Sequence, residues 1–73
     1  MTKNRIIEIA SEQSLIAKDC LFQIEFWTIF GSGKFTALKF IEWLNHRANR
    51  YESIEMTHEA SEYRKLSSIL SNN

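Results

Sequence analysis

Proline is absent from this chain, and its only two glycines stand together in Gly31-Ser32-Gly33. Nothing therefore opposes long helices over most of the sequence, and the glycine pair is the one strong turn signal, dividing the chain into two arms. Cysteine occurs once, at Cys20, so no intrachain disulfide can brace the fold. Residues 1–14 lack the unbroken apolar run of a secretory signal, and with the lone thiol this leads us to expect a reducing, cytoplasmic setting. Net charge is also missing. Nine basic residues balance nine acidic ones, which removes any overall field that would draw the chain to nucleic acid or an anionic membrane. Long hydrophobic runs are missing too: the stretch from Cys20 to Phe30 is interrupted by Gln23, Glu25 and Thr28, and it falls short of the ~20 residues that cross a bilayer. No membrane partner is expected.

What is present is apolar and aromatic. Hydrophobic residues make up 44% of the chain and aromatic ones 12%, well above the range of disordered sequences, so the chain should fold. A chain of this length buries only ~60 to 65% of the surface its unfolded form exposes, so its core is thin. With no disulfide available, oligomerisation or docking on a partner is the expected supplement.

Helical periodicity dominates. Ile6, Ile9, Ala10, Gln13, Ile16, Ala17, Cys20, Ile24 and Trp27 recur at spacings of three and four, with Thr2 or Asn4 available as a cap. Leu15, Phe22, Phe26 and Ile29 fall on the opposite side of the same helix, which makes its second half apolar nearly all round and in need of neighbours on two sides. After the glycines, Ala37, Ile41, Leu44, Ala48 and Tyr51 form an uninterrupted stripe, with Ser32 or Thr36 as cap. Beyond Tyr51 the phase slips to Met56, Ala60, Tyr63 and Leu70, with Thr57 as a cap, or else one long bent helix runs from 36 to 70. The expected fold is one all-α domain over 1–73. It comprises a helical hairpin of about 4–30 and 34–52, turning at Gly31-Gly33, and a short third helix at about 57–70, packed as a dimer or on a partner. The alternating, strand-forming run Phe22-Gln-Ile-Glu-Phe26 offers an α+β alternative with a central hairpin at 21–40.

Candidate binding residues lie on the helix after Gly33. Phe40, Trp43 and Ile54 form a second apolar seam, and Lys39, His46, Arg47 and Arg50 fall beside it. Aromatic rings interleaved with cations are the composition of protein interface anchors and of nucleic-acid contacts. We therefore expect Lys39, Phe40, Trp43, His46, Arg47 and Arg50 to meet a partner, with the back of the first helix as further interface. The competing reading makes Phe40 and Trp43 core and the arginines a solvated rim. Residues 34–50 carry a local excess of three positive charges, which a DNA-binding helix could use, but Glu52, Glu55, Glu59 and Glu62 follow at once and would repel phosphates on the same face.

Other motifs fail on their own terms. Gly31-Ser-Gly-Lys34 is followed by Phe35, where a phosphate-binding loop needs Ser or Thr, and Thr28 stands where that loop needs an upstream glycine. Glu55 and His58, with Glu59 and Glu62 near them, have metal-ligand spacing for one helical face, yet a complete site needs carboxylates from other helices, and Glu25, the obvious candidate, faces the region of residue 39 in the hairpin. Two histidines and one aspartate assemble no nucleophilic constellation. We expect no enzyme, cofactor, metal or small-molecule substrate.

The helix, glycine turn, helix layout resembles the small dimeric hairpin bundles of the Rop plasmid copy-number family in architecture alone, and no residue role follows from it. Small helical proteins of phages and mobile elements that bind and block a host protein share this size and make-up. The expected function is thus a non-enzymatic protein-binding module, a small regulator, adaptor or inhibitor that acts on another protein, on a copy of itself, or on both. The alternative is a small DNA-binding transcriptional regulator using the basic face after Gly33.

Overall fold

The computed structural model describes residues 2–31 and 35–72. Four helices follow one another: α1 (Lys3–Ser11), α2 (Ala17–Phe30), α3 (Ala37–Ser53) and α4 (Thr57–Ser71). Among the described residues there is no strand, so the α+β alternative at 21–40 is not realised. The expected turn at Gly31-Gly33 is described only to Gly31, and Ser32, Gly33 and Lys34 lie outside the described residues.

The first arm is two helices rather than one. A single helix over 4–30 would be ~40 Å long, more than the 34 Å longest extent of the molecule. The chain breaks after Ser11, where Glu12 and Gln13 N–H groups bond back to Ile9 and Ala10 carbonyls and tighten the last turn. α1 then packs against α2, α3 packs chiefly against α4, and α1 touches α4, so the long two-arm hairpin is replaced by two short ones. The layout likeness to Rop-type bundles ends there.

Two helix starts and the α3–α4 turn have local causes. Thr2 caps α1 by accepting from Arg5 N–H at 3.2 Å, and Thr36 caps α3 by accepting from Lys39 N–H at 3.1 Å. Thr57 is the first residue of α4 rather than its cap. Between α3 and α4 the chain reverses through Glu55 at φ 62°, a left-handed conformation in a residue other than glycine. Met56 N–H reaches Tyr51 C=O at 2.9 Å and Glu55 N–H reaches Glu52 C=O at 3.1 Å, the paired bonds of a Schellman ending. This also disposes of the Glu55–His58 pair, since Glu55 sits in the turn and His58 in the first turn of α4.

Ile6, Ile9, Ala10, Ile16, Cys20 and Ile24 enter the core as the periodicity of the first arm requires. On α3 the buried line is Phe40, Leu44 and Ala48, two members of the first seam read from the sequence and one of the second. Ala37, Ile41, Tyr51 and Trp43 flank it half-buried. Tyr63, Leu66 and Leu70 close the core from α4.

Candidate interaction surface

The residues expected to meet a partner separate into two groups. Phe40 is wholly enclosed and has no surface to offer, because it lies on the line of α3 that faces the core. Trp43 is half-buried in a chain of rings: it stacks on Phe40 at 5.5 Å, meets Tyr63 edge-on at 5.8 Å and Trp27 edge-on at 6.2 Å. These offset and edge-to-face contacts make it a structural wedge. Arg47 is bound inward as well. Its guanidinium lies 5.4 Å from the Trp43 ring, 5.3 Å from Tyr51 and 5.8 Å from Tyr63, donates to the Tyr51 hydroxyl at 3.3 Å, and pairs with Asp19 at 3.5 Å. Its buried Nε has no hydrogen-bond partner among the described residues, and the surrounding ring faces answer the charge instead. Burial alone would lower the Arg47 pKa, but the Tyr63 and Tyr51 hydroxyls and Asp19 outweigh it and hold the cation more firmly than usual. Burial likewise pushes the Tyr63 phenol up, with Arg47 opposing. Lys39, His46 and Arg50 are exposed, and the Lys39 amine stands 5.3 Å over the Trp27 ring.

The longest run of exposed apolar side chains is on the outer side of α2, and Leu38, Ile54 and Met56 stand exposed on α3 and in the α3–α4 turn. Phe22 is 69% exposed, Ile29 61%, Phe30 72% and Phe26 46%. These four side chains, with Glu25, line one shallow groove of about 160 Å³, and the Phe26 and Phe30 rings contact each other at 5.1 Å. Of the fourteen residues of α2 only Cys20 and Ile24 are buried. Its first arm stripe faces inward, and the opposite stripe stands in solvent, as angular position on the helix required. Leu15, at the entrance to α2, is also exposed.

Glu62 of α4 secures the near end of this helix. The α2 N-cap position, Ile16, makes no side-chain cap, and Glu62 instead ties the connector just before α2 to α4. It accepts from Leu15 N–H at 3.0 Å and from the Ser14 hydroxyl at 2.7 Å. Desolvation would raise its pKa, but these bonds hold the carboxyl below its ordinary range. Periodicity could not show this contact, because its partners are 47 and 48 residues apart in sequence.

Two further depressions lie elsewhere on the surface. The larger, about 400 Å³, lies among Arg5, Glu12, Ser14, Glu62 and Lys65, with charges of both signs and with Glu62 already committed. The other, about 260 Å³, lies between α1 and α2 beside Ile7 and Leu21. Among the described residues no group of three or more His, Cys, Asp or Glu side chains is placed to hold a metal ion. Asp19, the single aspartate, is taken up by Tyr63 and Arg47. No helix among the described residues is long and apolar enough to cross a membrane. The chain matches no protein-family model, no curated protein and no solved structure.

Proposed function

We propose that this protein is a non-enzymatic protein-binding module, a small regulator, adaptor or inhibitor that works by laying the outer face of α2 against a protein surface. The observation that carries this reading is the contiguous apolar groove of Phe22, Phe26, Ile29 and Phe30. A helix with one face in the core and a second apolar face in water has the form of an amphipathic helix that binds in a groove or against another helix. Anchoring rings at the centre of such a patch supply most of the binding energy. The basic edge of α3 plays a secondary part, because Arg47 is held inward and only Lys39, His46 and Arg50 remain at the surface.

The test is affinity capture with the wild-type chain and the Phe22→Glu/Phe26→Glu variant side by side, with identification of what is retained. This reading expects a protein held by the wild type and lost by the variant, with helical content unchanged. Retention of nucleic acid instead, released as salt rises, would favour the DNA-binding alternative.

A further inference from the structure

Resting on that reading, we infer that the occupant of the α2 face is a second copy of this chain, joined about a two-fold axis that packs α2 on its own image. Area is the first argument. At ~200 Å² for each aromatic side chain and slightly less for isoleucine, Phe22, Phe26, Ile29 and Phe30 leave about 480 Å² of largely apolar surface exposed. Two such faces pressed together remove at most about 960 Å² from water, above the ~800 Å² of incidental contacts, and the polar rim brings the total to the ~1,000 Å² of a specific interface. A smaller patch would fall short of that threshold.

Shape and charge agree. An isologous interface must be self-complementary, and a stripe on one straight helix meets its own image along its length when the two helices lie nearly antiparallel about a dyad. Glu25, the single formal charge lining the groove, falls on the flank of the stripe, so its two copies meet at the solvated rim, where their repulsion is screened, and not among the rings. The chain's net charge of zero sets no long-range repulsion between copies. Anchorage supplies the third argument. α2 buries only Cys20 and Ile24 in its own fold, so it is the helix of this molecule with most to gain from a second layer. The dimer is therefore a four-layered body in which the two α2 helices form the middle and the α3–α4 hairpins the outside.

The experiment is light scattering on the full chain during size-exclusion chromatography at ~100 µM, a concentration suited to a micromolar interface, with far-ultraviolet circular dichroism on every sample. The wild type should run at about twice 8.6 kDa. Phe22→Glu/Phe26→Glu and, separately, Ile29→Lys should run as monomers with undiminished helical signal, while Lys65→Glu on α4 should remain dimeric. A wild type that stays monomeric to ~1 mM overturns the inference. So does a dimer that survives both α2 variants, or a loss of helical signal in both, which would make these side chains core. A monomeric wild type whose capture of a different protein is abolished by Phe22→Glu/Phe26→Glu removes self-pairing and leaves protein binding standing. A monomer that captures nothing removes both.

Discussion

Trp43 shows how far a residue's role depends on neighbours that periodicity cannot supply. Its place beside Arg47 on α3 suggested an interface anchor, yet in the fold the same pairing is directed inward, against Tyr63 and Phe40. Trp43→Ala should therefore cost about 2–3 kcal/mol of folding stability, somewhat under the range for a fully buried tryptophan, measured as a drop in the urea midpoint. Loss of binding without loss of stability would restore Trp43 to the interface. Cys20 is wholly buried, and burial pushes its thiol up to about 12, with the Asp19 carboxylate adding to the shift. In the native protein at pH 8 it should react with a thiol reagent only at the rate of opening of the fold, and urea should release the reaction. Glu55 carries backbone strain in its left-handed turn. Glu55→Gly should raise stability by about 0.5–1 kcal/mol, because only glycine adopts this conformation without a Cβ penalty, and thermal melting would show it as an increase in midpoint.

At the scale of elements, the helical class, the stripe of the first arm and the α4 helix were legible in the sequence, since spacings of three and four are a direct consequence of helix geometry. The break at residues 12–16 was not. Gln13 continues the stripe in register, and the carboxylate that stabilises the break comes from Glu62, far along the chain. The end of α3 was legible only as a slip in phase, because the turn uses glutamate where glycine is usual. The Glu62 contact makes stability depend on pH. Its carboxyl is held below the ordinary value of ~4.3 by the Leu15 and Ser14 donors. The stabilisation is therefore complete above that ordinary value and is lost as pH falls through the lower, folded one. Glu62→Ala should cost about 1 kcal/mol at pH 7, the usual net worth of hydrogen bonds of this kind. It should also flatten the fall in urea midpoint between pH 5 and pH 2, and an unchanged acid profile would show that this carboxylate does not hold α2 to α4.

For the whole molecule, the apolar excess read from the sequence is partly absorbed and partly left over. Phe40 went to the core and Trp43 to its margin, while Phe22, Phe26, Ile29 and Phe30 remained outside. Which of several apolar faces is left uncovered depends on how four helices pack, and a stripe carries no information about its neighbour. The radius of gyration, 11.6 Å, is that of a compact fold of this length. The chain thus closes a core of its own and still presents a second apolar face.

The most direct test of that claim is the urea unfolding midpoint, measured by circular dichroism over a hundredfold range of protein concentration, for the wild type and for Phe22→Glu/Phe26→Glu. If the α2 face is covered only by association, the wild-type midpoint rises with concentration while that of the variant stays constant and meets the wild-type value at high dilution. A concentration-independent wild type, with the variant far less stable at every concentration, would place these phenylalanines in the core and contradict the account.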